Sequence, residues 1–428
     1  MVKSSNWEEN LKFDDIREWK RAIVKNPNIS EEFIQYLADV VPELNDPSET
    51  LSVIREGIGA GFTLEQIKLY GKPVFNHDQM REIYYGIKNK LTVEQICVYA
   101  KPEFDKKQME LIRLGFESGF STDNVAIYAT PAFDSSQMKV IYDDLKRGLS
   151  TEILSIYADT KFNWEQMYQI HYMFKTIPLE KIRICANPDI EASKMRILQK
   201  IAMKIWISEE QLKIIANPKF SEKQLEQIFE CIQSRLTLEQ VKVLARPEFN
   251  HKQMEEIGAG FSVGLSLEQI EVLAHPEFDE MQMFKIRSGF ESGLTIDEVS
   301  TYANPEFDWS QMGVILGCIK DKLSLDKLQL LANPEFNSQQ MEQISISFRE
   351  GLSLEQVEVL ARPEFNEEQM LQIRAGFESG LTIEEVSTYA KSELDNQKMN
   401  ELRVEIDNNI SIENVIRRTL EKNSKSFN

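Results

Sequence analysis

From residue 73 onward, apolar and polar positions alternate at helical spacing inside a fixed frame of 29 residues. Prolines mark the frame: Pro73, Pro102 and Pro131 lie 29 apart, and so do Pro218, Pro247, Pro276, Pro305, Pro334 and Pro363. Numbered from the proline, the unit reads P-E-F-[ND]-x-x-Q-M-x-x-I-x-x-G-F-x-x-G-L-[TS]-L-E-Q-[IV]-x-x-[YL]-A-x. Met, Ile and Phe or Ile at positions 8, 11 and 15 form an i, i+3, i+7 stripe, and Leu, Ile or Val and Ala at 21, 24 and 28 form a second. Each stripe is the apolar face of one helix. The pattern predicts two antiparallel helices per unit, one of about thirteen residues and one of about eight.

Start and stop signals agree with that division. Asn or Asp at position 4 with Gln three residues on (Asn76 and Gln79, Asn250 and Gln253, Asn366 and Gln369) has the form of a capping box. Thr or Ser at position 20 repeats it (Thr92 and Gln95, Ser266 and Gln269, Ser353 and Gln356). Position 22 is acidic in most units, which complements a helix N-terminus. Gly at 18 is suited to ending the long helix, and the next unit's proline to stopping the short one. Thr160 and Ser392 stand where prolines would fall, Pro188 is displaced by a one-residue loss, and Pro42 serves as a degenerate first start.

A helix of this size cannot bury its stripe alone, but stacked neighbours bury a continuous core. The expected fold class is therefore all-α: a right-handed-type α-solenoid of about thirteen tandem αα-hairpin repeats with capping helices. The chain resembles helical-repeat solenoids of the HEAT, armadillo and TPR kind over about residues 30–420, though the 34-residue TPR signature is absent. That resemblance implies a binding scaffold and names no partner. The expected divisions are an N-terminal capping helix at 1–29 (with Trp7, Ile16 and Trp19), regular repeats at 30–159, and irregular, locally basic repeats at 160–217. Regular acidic repeats at 218–410 and a C-terminal capping helix and tail at 411–428 follow. The phrase GFESGLTIDEVSTYA at 289–303 returns as GFESGLTIEEVSTYA at 376–390, three units on, as block duplication would leave it.

Composition narrows the function classes. No apolar run is long enough to span a membrane, and the N-terminus lacks a signal-peptide core, so a cytoplasmic protein is expected. The four cysteines are scattered without a CxxC, and the four histidines do not cluster, so neither a metal nor a cofactor is expected. No nucleophile, base and acid share a motif, and a non-enzyme is expected. The net charge of −20 disfavours direct nucleic-acid binding and an anionic membrane, and suits a protein partner with a basic surface. Charge is uneven: residues 236–410 carry −18, whereas 160–235 carry +3.

Several columns compete as functional surface. Met at position 8 reads as core filler, and Gly at 14 as close helix packing. Position 12 changes chemistry while its neighbours hold constant: Tyr84, Arg113, Tyr142, His171, Phe229, Arg287 and Arg374 are candidate partner-binding residues of interface-forming types. Glu291 and Glu378, in the duplicated phrase, are candidates on the acidic surface. The expected function is a non-enzymatic protein–protein interaction scaffold that binds along an extended solenoid surface. The alternative is an acidic mimic of nucleic acid that inhibits a basic nucleic-acid-binding effector, in the manner of anti-restriction or anti-CRISPR proteins. A small-molecule ligand is not expected.

Overall fold

The computed structural model describes residues 26, 28–40, 43–44 and 47–408. The capping helix expected around Trp7, Ile16 and Trp19 and the one expected over 411–421 lie outside the described residues. Among the described residues the chain is all-helical, without a strand, and successive helices pack on their sequence neighbours. It divides into two units, Met1–Pro218 and Lys219–Asn428.

In the N-terminal unit a first helix, Glu31–Val40, precedes helix pairs that alternate long and short. These are Pro47–Gly59 with Leu64–Tyr70, His77–Lys88 with Val93–Tyr99, and Lys106–Glu117 with Thr122–Ala126. Ser135–Lys146 with Thr151–Leu154, Trp164–Met173 with Leu179–Cys185, and Ala192–Ala202 with Glu209–Ile215 complete it. In the C-terminal unit the pairs are Glu222–Cys231 with Leu238–Leu244, His251–Ser262 with Leu267–Leu273, and Glu280–Glu291 with Ile296–Ser300. Trp309–Lys320 with Leu325–Leu331, Ser338–Arg349 with Leu354–Leu360, and Glu367–Glu378 with Ile383–Tyr389 follow, then helical residues 396–408. In each unit, long helices pack on the next long helix and on their own short partner. The regular long helices have 12 residues and most short ones 7, each about one shorter than the periodicity suggests.

Caps define these ends. At the helix Lys106–Glu117, the Gly119 N–H donates to Phe116 O and the Phe120 N–H to Gly115 O, a Schellman closure with Gly119 at φ 84°. Lys90, Arg235 and Lys322 hold the same left-handed position without being glycine. Gly61 and Thr63 carry the register back one more unit and place its start at Leu44 rather than Pro42. Both capping boxes are formed, at Asn250 with Gln253 and at Ser266 with Gln269.

The Gln at position 7 has a second role. Its Oε1 accepts from its own N-cap amide, and its Nε2 donates into the following helix pair. Gln253 Nε2 reaches Pro276 O at 3.1 Å and Phe278 O at 2.6 Å; Gln79 reaches Pro102 O and Phe104 O at 3.0 and 2.7 Å. One amide thus closes a helix and locks the next unit's turn, with the position-3 Phe (Phe104, Phe278) buried beneath it. Every position-8 Met from Met80 to Met399 is fully buried, as core filler should be.

A Tyr at position 27 goes with a Gly at position 14 in five units. Tyr70, Tyr99, Tyr128, Tyr302 and Tyr389 each bring their hydroxyl over a glycine of the preceding long helix. A Cβ on Gly289 would stand 2.0 Å from the Tyr302 hydroxyl oxygen. Where position 27 is Leu, position 14 carries Cys231, Cys318 or Ser347 in three units (with Leu244, Leu331 and Leu360) and Gly260 in a fourth (with Leu273). Cys231 and Cys318 are buried free thiols. Tyr157 breaks the rule, because its position 14 is Asp144.

Candidate functional site: a groove across three long helices

The N-terminal unit holds a groove of about 600 Å³ across the helices Lys106–Glu117, Ser135–Lys146 and Trp164–Met173. Leu111, Leu114 and Val140 line it on one side, and Trp164 and Tyr168 on the other. Trp164, Tyr168 and Tyr172 occupy positions 5, 9 and 13 of one helix and stay 45, 41 and 37% exposed. Spacing of four residues puts them in one row along the helix surface. The Tyr168 and Tyr172 rings meet edge to face at 4.7 Å, and their hydroxyls hydrogen-bond at 2.7 Å.

Beneath that row lies a buried polar cluster. Asp144, fully buried, accepts from the Tyr157 hydroxyl and pairs with Arg147 Nη1 at 3.2 Å. His171 Nδ1 lies 2.5 Å from Asp144 Oδ1, close in distance but without the aligned geometry of a hydrogen bond. Arg147 Nη1 lies 2.9 Å from His171 Nε2. A guanidinium can only donate, so Nε2 carries the lone pair and the ring proton sits on Nδ1, facing Asp144. Burial pushes the imidazole pKa below its ordinary value; Asp144 opposes this, and Arg147 and Lys175 reinforce it, so the ring is neutral at neutral pH. Burial, then the Asp144 charge, pushes the Tyr157 phenol far above its usual range. Both nitrogens of His171 face charged neighbours and Nε2 is occupied, which makes the ring a poor general base.

The candidate residues at position 12 fall on a seam between successive long helices. Tyr84, Arg113, Tyr142 and His171 are buried; Phe229, Arg287 and Arg374 are half-buried. Arg113 Nε donates to Glu82 on the preceding long helix at 3.0 Å, and its Nη1 to Glu117 at 2.7 Å. Arg287 repeats this with Glu256 at 2.9 Å and with Glu291; Arg374 pairs with Glu378 at 3.1 Å. The structure thus joins Arg287 with Glu291 and Arg374 with Glu378, and joins His171 with Asp144. Glu291 and Glu378 themselves are exposed.

The outward face of the long helices is instead built from positions 5, 6, 9 and 13. In the C-terminal unit that face carries Met281, Phe284, Trp309 and Leu371, all exposed. Trp309 sits five repeat lengths after Trp164, beside a depression of about 360 Å³ over Gly313 and Gly317, with Lys285 Nζ above its ring at 5.6 Å. Trp164, Tyr168 and Tyr172 lie in the segment that the sequence marks as irregular, whereas Asp144, Arg147 and Phe284 lie in regular repeats. The legible signal for Asp144 was a carboxylate in the glycine slot ahead of a Tyr, one unit before a His.

Irregularity at 160–217 also takes a definite form. Pro178 and Glu191 stand at N-caps and make no side-chain capping bond. Lys194 replaces the clamp Gln and donates to Pro218 O at 3.4 Å. The position-22 carboxylates are exposed, and at Glu94 and Glu268 the residue's own backbone N–H and the capping hydroxyl hold the carboxyl below its usual range. Among the described residues no group of three or more His, Cys, Asp and Glu side chains is placed to hold a metal ion, and no helix is long and apolar enough to cross a membrane. Compared with known protein families and with characterised proteins, the chain matches no family model and no curated relative.

Proposed function

We propose that this protein is a non-enzymatic protein-interaction scaffold: an α-solenoid of about thirteen helix pairs whose long-helix faces bind a partner. One observation carries the reading. A groove of about 600 Å³ runs across three successive long helices and is edged by the exposed Trp164 and Tyr168. Trp, Tyr and Arg dominate the binding energy of protein interfaces, and water-exposed aromatic rows are otherwise unfavourable on a surface. The constant positions of each unit build core, caps and clamps, whereas position 9 changes from Glu110 to Lys139 to Tyr168 along the groove. Variable chemistry on a constant frame is how such a scaffold would encode a partner. The acidic column at position 22 complements its own helix ends, a local role that needs no nucleic-acid mimicry.

Site-specific photo-cross-linking in the native host tests the reading. A photoreactive side chain at Tyr168 or Phe284 is expected to capture a discrete protein, and one at Glu152 or Asp297 on the short helices is not. Adducts confined to the short-helix positions, or none anywhere, would remove the scaffold reading of this face.

A further inference from the structure

The lining of the groove balances Lys107, Lys139 and Arg147 against Glu110, Asp143 and Asp144, and the surface beside it departs from the acidity of the rest of the chain. On the helices Ser135–Lys146, Trp164–Met173 and Ala192–Ala202 and their C-terminal ends, Lys139, Lys146, Arg147, Lys175, Arg196 and Lys200 are all exposed. By register Arg196 and Lys200 hold positions 9 and 13, the places Tyr168 and Tyr172 hold one unit earlier. Gln199 Nε2 ties the two helices together through the Thr176 hydroxyl at 2.8 Å, so the aromatic row has cations on both sides. The carboxylates nearby are fewer. Asp144 is sealed inside its cluster, Asp143 is paired with Lys139, and Glu110 and Glu165 remain at the edges.

We propose that this groove binds an acidic polypeptide segment bearing apolar anchor side chains. The proposal rests on the scaffold reading and adds the chemistry of the partner. An anchor would enter between Leu111, Leu114, Val140 and Trp164, and flanking carboxylates would meet Lys175, Arg196 and Lys200. Charge complementarity of this kind sets specificity and association rate. A peptide can space its charges to avoid Glu110, whereas a nucleic acid brings a phosphate at every residue. The edge-to-face lock between Tyr168 and Tyr172 also denies successive bases parallel stacking platforms.

The test uses the full chain and a fluorescein-labelled synthetic peptide of three Glu-Glu-Phe-Glu blocks, with Lys-Lys-Phe-Lys blocks and a thymidine oligonucleotide of equal length as comparators. Fluorescence polarisation is expected to show saturable binding of the acidic peptide that weakens with salt. The triple variant Lys175→Glu, Arg196→Glu, Lys200→Glu is expected to weaken it by about tenfold or more. The triple Gln variant should fall between, and an unchanged thermal melt shows that the fold survives. Absence of acidic-peptide binding, binding indifferent to charge reversal, or tighter binding of either comparator overturns the proposal. If cross-linking at Tyr168 still captures a protein while the acidic peptide fails, the partner chemistry is wrong and the scaffold reading stands. If the acidic peptide binds as expected and cross-linking captures nothing, the groove chemistry stands and the scaffold reading falls.

Discussion

At the residue scale, Gly289 and Tyr302 form one fitted unit. The Tyr302 hydroxyl donates to Lys285 O at 3.2 Å across a space that a Cβ on Gly289 would fill. Gly289→Ala is expected to destabilise the protein by about 1–3 kcal/mol through overpacking, despite Ala's better helix propensity. Tyr302→Phe should lose about 1 kcal/mol with its hydrogen bond. The double variant should be no less stable than Gly289→Ala alone, because removing the oxygen clears the space. Denaturant midpoints of the four proteins check this, and simple additivity would refute the fitted pair. His171 is the other residue with a sharp expectation. Its pKa is lowered in the folded state from 6.5, so the unfolded chain binds its proton first as pH falls. Its contribution is intact above the unfolded value and lost as pH drops through the folded one. Stability should therefore fall below about pH 6.5, and His171→Gln should flatten that part of the profile. An unchanged slope in the variant would mean that other groups set it.

At the element scale, the two Gln residues of each unit look interchangeable in sequence and are not. At position 23 the side chain only accepts, and Glu298 and Glu385 complete capping boxes there unaided. At position 7 the amide must also donate, and a carboxylate would confront two carbonyl oxygens of the next unit. Gln253→Glu is therefore expected to cost more than Gln253→Ala, itself about 1–3 kcal/mol. Gln269→Glu should be close to neutral. Chemical denaturation distinguishes them, and equal losses at 253 and 269 would dispose of the inter-unit clamp. Period, caps and the Met column were legible because each is a relation within one helix or its ends. The exposed face of the long helices was not, because it depends on where the neighbouring helix stacks. Position 12 lies four residues past the buried Met at 8, so its side chain turns into the seam, as Arg113 against Glu82 shows. Position 9 stands one residue, or about 100° of rotation, from that stripe and faces outward. The cluster of Asp144, Tyr157 and His171 joins side chains of two successive units, and only lateral register brings them together.

At the scale of the whole chain, charge and helix pairing act against each other. Residues 236–410 carry −18, and their position-2 and position-22 carboxylates, from Glu248 to Glu384, are exposed. The position-22 carboxylates are favourable beside their own helix ends, yet acidic columns repeated in every unit line up like charges whose repulsion extends over about 10 Å at moderate salt. The cores of the helix pairs, filled by Met254, Met283, Met312, Met341 and Met370, hold the array together against that field. Residues 1–159 carry only −7 and should feel less of it. Raising salt shortens the range of repulsion while leaving buried apolar contacts intact. Hydrogen exchange resolved by peptide is therefore expected to slow between low and high sodium chloride across 236–408, and by less across 47–159. Equal protection in the two segments would mean that local capping offsets the repulsion in full. The acidic surface would then be neutral for stability and free to have been shaped by what the protein binds.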